Sequence, residues 1–257
     1  MRRNLRLLRV AWMLNVKQLT RSSFDGILAI LWPLFFATVA FFMFRAGGDP
    51  KALVYASLGA AVMGIWTATS VSAGSALQRE RWFGTLELLV AAPAHFSLVL
   101  LPLAFATSAI GIYCMTTTLL WGRFVFGIDL HLVHPLLMAA AIPATILSIG
   151  ALGFLMAVSF ARYRTAWALG SMTEYPIWLI CGFLVPLALL PGWVHPISWA
   201  LAPTWGMRAI RESSTGGTPL PDVGMCVLLG SAYIAIGVFV TETVLRAARR
   251  SASLSLT

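Results

Sequence analysis

Acidic side chains are scarce in this chain: five glutamates and four aspartates among 257 residues. The aspartates, Asp25, Asp49, Asp129 and Asp222, stand in four separate segments. A membrane prenyl- or phosphotransferase needs clustered aspartates for magnesium-bound phosphates, so that class is excluded. Histidine is also rare, and none of His95, His131, His134 and His195 falls inside a long apolar run. An intramembrane serine protease, which needs a histidine base at depth, is thereby excluded. The three cysteines, Cys114, Cys181 and Cys226, all lie in apolar runs, without zinc or disulfide-framework spacing, and read as small buried hydrophobes. Charged residues make up 11% of the chain, where a soluble domain carries about 25%; one large soluble core is excluded. A Gly-x-x-x-x-Gly-Lys-[Ser/Thr] phosphate loop is missing, so any ATP-driven step must draw on another polypeptide. The apolar runs do not alternate, which excludes a transmembrane β-barrel.

What remains is 59% hydrophobic and reads as an all-α membrane protein in a single domain, 1–257. About 20 apolar residues cross the hydrocarbon core. Six stretches meet that length: 24–44, 53–76, 97–121, 135–160, 165–190 and 222–245. Pro33, Pro102, Pro143, Pro176 and Pro186 lie within them and are read as kinks. In residues 1–21, Leu5, Leu8, Trp12, Val16 and Leu19 share one helical face. Arg2, Arg6, Arg9 and Lys17 share another, with Arg3 beside them. This pattern predicts an interfacial amphipathic helix, the alternative being ordinary basic residues ahead of the first span.

The net charge of +9 does not point to nucleic acid, because its distribution follows topology. With both termini on one side, that side holds thirteen of the 18 Lys and Arg residues and the other side five. The basic side is cytoplasmic, which predicts cytoplasmic termini and contact with anionic membrane lipids. Residues 191–207, with Trp193, Trp199 and Trp205 at six-residue intervals among prolines, are too short and broken to span. They predict short re-entrant helices on the outer side, or a loop lying flat in the headgroups. Ser213–Pro221 reads as a polar loop and the tail from Ser251 as disordered.

Between spans two and three, residues 78–92 carry Arg79, Glu80, Arg81 and Glu87, with Leu86, Leu89 and Val90 on an apolar side. They form a candidate cytoplasmic helix that docks a partner, or a solvated loop. Glu174, nine residues into the fifth span, is either a polar contact in a substrate path or dimer seam, or a helix–helix contact. Glu242 and Arg246 have helix ion-pair spacing. Ser148, Gly150 and Gly153 allow close helix approach. His131 and His134 with Asp129 are too few to argue a metal site.

The run Gln78-Arg79-Glu80-Arg81, then Gly84-Thr85-Leu86-Glu87-Leu88-Leu89 and Ala92-Pro93, resembles the hallmark of ABC-2 membrane proteins, the permeases of type-2 ATP-binding-cassette exporters. The segment Leu189-Leu190-Pro191-Gly192-Trp193, with Pro196, Trp199, Pro203-Thr204 and Arg211, resembles that family's extracellular segment. Trp82-Phe83 is a bulkier spacer than the pattern needs. The resemblance implies a coupling helix seated in a separate ABC ATPase subunit, with Arg79, Glu80, Arg81, Gly84, Thr85, Leu86 and Glu87 as coupling residues. It also implies two ATPases, a second permease subunit (identical or paralogous) paired through spans one and five, and a bacterial cell membrane. The chain would bind no cofactor, and ATP and Mg²⁺ would sit on the ATPase.

The reading is a permease without catalytic residues that exports a hydrophobic or amphipathic compound such as a drug, antibiotic, lipid or glycolipid. Trp32, Phe35, Trp66, Trp178 and Glu174 are the candidates for its substrate path or dimer seam. An ATPase-independent channel or secondary transporter and a non-transporting membrane scaffold are the alternatives.

Overall fold

A computed structural model of the chain describes residues 9–17, 23–46, 50–82, 84, 97–128, 133–160 and 166–251. These are almost entirely helical, with no strand among them. Residues 9–17 form α1. Six longer elements follow: α2 (Ser23–Ala46), α3 (Pro50–Trp82), α4 (Ser97–Phe126), α5 (Pro135–Phe160), α6 (Ala166–Ile180) and, last in the chain, α9 (Pro219–Ser251). Between α6 and α9 come two 3₁₀ turns, the short α7 (His195–Trp199) and α8 (Ala202–Thr215).

Helix is the expected state for such apolar sequence, since it satisfies every backbone group within the segment. Among the described residues, four windows are long and apolar enough to cross a membrane: Ala52–Ser70, Leu100–Phe126, Pro135–Ser159 and Pro219–Thr243. α2 holds a shorter apolar stretch, Leu34–Arg45. Pro33, Pro102, Pro143 and Pro176 lie within continuous helices and do not end them.

α3 and α5 form the centre of the bundle. α3 packs against α2, α4, α5 and α6, while α5 packs against α3, α4, α8 and α9. Small residues set the spacing. A Cβ on Gly153 would meet Thr69 Cγ2 at 2.5 Å, and one on Gly150 would meet Ser108 Oγ at 2.6 Å. Both glycines therefore allow close approach of α5 to its neighbours. Ser148 accepts a hydrogen bond from the Cys226 thiol at 3.0 Å, linking α5 to α9. The core includes Trp66, Ile149, Phe183, Met207 and Ile210.

The fifth expected span is corrected. The expected span is one helix over 165–190, kinked at Pro176 and Pro186; the observed helix stops at Ile180. Gly182 takes φ +73°, and the Phe183 N–H bonds back to the Trp178 carbonyl at 3.0 Å, a left-handed helix end that glycine permits. Pro186 lacks the N–H that the Gly182 carbonyl would need four residues on. The other boundaries also move. α4 runs on to Phe126, and α9 begins at Pro219 and continues to Ser251. Of the expected loop Ser213–Pro221, only residues 216–218 are non-helical.

Candidate functional site

Three places carry the side chains that sequence reasoning singled out. The first is the far end of α3. This helix has 33 residues, about 50 Å at helical rise, well beyond a hydrocarbon core of about 30 Å. Gln78, Arg79, Glu80, Arg81 and Trp82 therefore continue the second span's helix as its last turn, and Gly84 follows in an exposed turn with φ +66°. Thr85, Leu86 and Glu87, with the rest of the expected coupling helix to residue 92, lie outside the described residues.

The second place is the contact between α3 and α6. Glu174 is 4% exposed and accepts a hydrogen bond from the Thr67 hydroxyl at 2.6 Å. One turn later, Trp178 is buried and packs edge-to-face on Phe36 of α2, with ring centroids 5.1 Å apart. Tyr175 closes the group, 5.1 Å from Trp178 and 6.4 Å from Phe36. Phe35 adjoins Phe36 but faces outward. Trp66 is fully buried in the core that also holds Trp178. Both indole N–H groups are buried with no acceptor among the described residues. Trp32 lies on α2, with its side chain outside the described residues. Phe35 and Trp178 are thus brought into one aromatic group beside Glu174, while Trp66 belongs to the interior.

The third place is the break after α6. Pro186 leaves the Gly182 carbonyl without a helical donor, and side chains from elsewhere donate to this and other carbonyls of the break. The Ser198 hydroxyl donates to the Ile180 carbonyl at 2.6 Å, and His195 Nε2 lies 3.0 Å from the Leu187 carbonyl. Gly182 accepts twice, from the Tyr55 hydroxyl at 2.9 Å and from Arg211 Nη1 at 2.7 Å. Arg211 Nη2 donates to the Phe183 carbonyl at 2.9 Å. The guanidinium also lies over the Tyr55 ring, 3.1 Å from its centroid. Desolvation lowers the Arg211 pKa to about 9, and at neutral pH the group is still a cation. Arg211 and Tyr55 therefore join α8, the broken segment and α3 at one point. Beside them, Arg208 of α8 reaches Asp222 at 3.5 Å and Glu212 at 3.8 Å.

The sequence points to Arg211 only as part of a motif, and to neither Tyr55 nor Ser198. The available signal was proline spacing. Pro186 stands four residues after Gly182 and marks a carbonyl without its helical donor.

Among known proteins, residues 6–214 match the family described as ABC-2 type transporter. No curated protein matches the chain.

Proposed function

The chain belongs to the ABC-2 type transporter family, and from that premise we propose that it is the permease subunit of an ATP-driven exporter. Membership makes it a multi-pass membrane protein of an ABC transporter. The observation that carries the finer reading is α3, one helix from Pro50 to Trp82 that holds Arg79–Glu80–Arg81 beyond the length of a bilayer crossing. Such a projection gives a soluble ATPase something to push. Residues 79–89 are the contact, with Arg79, Glu80, Arg81, Gly84, Thr85, Leu86 and Glu87 as its coupling residues. ATP and Mg²⁺ sit on the ATPase, of which two copies drive two permeases, identical or paralogous.

The fifth crossing is completed by the irregular segment after Ile180, which with α2 makes a six-crossing chain. Both termini lie in the cytoplasm of a bacterial cell, and α1 rests in the headgroups. The permeases meet along α2 and α6. There Leu31, Phe35, Val39 and Phe42 of α2 and Met172, Tyr175 and Leu179 of α6 form exposed apolar stripes, joined by the Phe36–Tyr175–Trp178 contacts. Movement of these faces opens a path whose aromatic and methionine side chains suit an amphipathic or hydrophobic cargo.

Purification in mild detergent, with mass identification of co-purifying proteins and lipids, tests this reading. An ABC ATPase in the preparation supports it, and its loss on Glu87→Arg locates the contact. Export at the wild-type rate with no ATPase present overturns it.

A further inference from the structure

α3 carries a distinctive feature at each end. At Trp82 it projects past the bilayer length. At Tyr55 and Gly59 it is held to the broken segment, 181–200, more tightly than packing requires. The Phe183 carbonyl oxygen stands 1.8 Å from where a Cβ on Gly59 would lie, and Arg211 Nη2 stands 3.1 Å from the same point. Only glycine admits that approach. Arg211 then spreads one cation over the carbonyls of Gly182 and Phe183 and the face of Tyr55. Charge-assisted hydrogen bonds of this kind are roughly twice as strong as neutral ones. A guanidinium can fork and stack at once, which a lysine ammonium cannot. Between Tyr55 and Trp82 the helix has no proline, so no backbone break separates the two ends.

We propose that Arg211 is a positioning residue that fuses the 181–200 segment to α3, so that segment and helix move as one rigid body and displacement of the Trp82 end reaches the opposite face of the membrane. The lock is a property of this chain alone; its use in transmission rests on the reading of the Trp82 end as the ATPase contact. Lateral or axial displacement of a helix about 50 Å long then moves Trp193 and Trp199, which stand exposed on the fused segment.

Nitroxide labels at Gly192→Cys and Gly224→Cys test the lock by electron-paramagnetic-resonance distances. A Cβ at either position meets nothing within 4 Å, and the described native cysteines are buried. In nanodiscs the otherwise wild-type protein is expected to give one narrow distance. Arg211→Ala is expected to broaden the distribution at least twofold, and Arg211→Lys to leave it broad. Gly59→Ala, whose methyl displaces the Phe183 carbonyl and crowds the guanidinium while leaving Arg211 in the chain, is expected to reproduce the effect and serves if Arg211→Ala does not fold. An unchanged distribution in Arg211→Ala or, if that variant does not fold, in Gly59→Ala overturns the lock.

With the co-purified ATPase, trapping by ATP and vanadate is expected to shift the distance in the wild-type lock and to lose that shift in Arg211→Ala, or in Gly59→Ala where it stands in. An equal shift in the lock variant and wild type overturns the transmission. If no ATPase co-purifies, it is the proposed function that fails, and the nucleotide-free distributions still decide the lock.

Discussion

The Thr67 hydroxyl donates to the Glu174 carboxyl at 2.6 Å and ties α3 to α6 inside the bundle. Thr67→Val keeps the side-chain shape and removes the donor, while Glu174→Gln keeps an acceptor oxygen in place. Interhelical side-chain hydrogen bonds in membranes contribute about 0.6 kcal/mol on average and at most about 1.7. Thr67→Val is therefore expected to destabilise by about 1 kcal/mol, near the middle of that range, and Glu174→Gln by less. Thermal unfolding in detergent checks the order. The same pair of variants separates two roles: a path residue loses transport in Glu174→Gln without loss of stability, whereas a purely structural contact follows stability alone.

Tyr233 is expected to matter more than its place on α9 suggests. Leu201, before α8, provides no side-chain cap. The Tyr233 hydroxyl takes that role by accepting the Ala202 N–H at 3.1 Å and donating to the Ala200 carbonyl. Tyr233→Phe leaves a buried amide unpaired, a cost of about 1–3 kcal/mol. Hydrogen exchange is expected to accelerate at Leu201–Thr204 and to stay slow in the middle of α5. Uniform acceleration across both would show that the bond has no local capping role.

Arg208 serves two carboxylates of unequal burial. The Asp222 side chain is 4% exposed and the Glu212 side chain 29%. Removing Arg208 strands the buried one. Because Arg208 is itself 43% exposed, water and salt screen the pair, and the cost falls well below the 3–5 kcal/mol typical of a fully buried pair. Arg208→Ala is expected to destabilise more than Glu212→Ala. Asp222→Asn is expected to recover part of the loss when combined with Arg208→Ala. A double-mutant cycle by chemical denaturation measures this, and additive effects would show that the two side chains are not coupled.

Much of the architecture was legible because apolar run length dictates helices. α2, α3, α4, α5 and α9 each overlap an expected span, and Pro102, Pro143 and Pro176 sit inside helices that do not end there. The failure at Pro186 has a local cause. Hydropathy continues unbroken through Leu190, but Gly182 and Pro186 together end the helix, and run length does not register backbone donors. The lock at Arg211 was hidden for a related reason. Its partners are mostly carbonyl oxygens, which every residue has, and only the Gly182 carbonyl's loss of its helical donor shows in the sequence, through Pro186. Tyr55 lies 156 residues away from Arg211 in the chain, and no sequence period links them. The aromatic group around Trp178 was half visible: Phe35 and Trp178 stood out by type, while Phe36 and Tyr175, which join them, did not.

The stripes on α2 and α6 face either lipid or a second permease, and cross-linking distinguishes the two. Met172 is 71% exposed on α6 and lies three and seven residues before Tyr175 and Leu179, which are exposed on the same face. Phe239 is 69% exposed on α9. Both suit a lipid-facing surface, but only Met172 adjoins the α2 stripe through the Tyr175–Phe36 contact. A dimer seam along α2 and α6 brings Met172 close to its own symmetry mate, because a two-fold interface pairs the same patch on both subunits. Met172→Cys is therefore expected to form a disulfide-linked dimer under mild oxidation in membranes, and Phe239→Cys to remain monomeric on denaturing gels. The described native cysteines, all buried, do not compete. Cross-linking at Phe239→Cys instead would move the seam to α9, and the aromatic face of α2 and α6 would then be left to lipid.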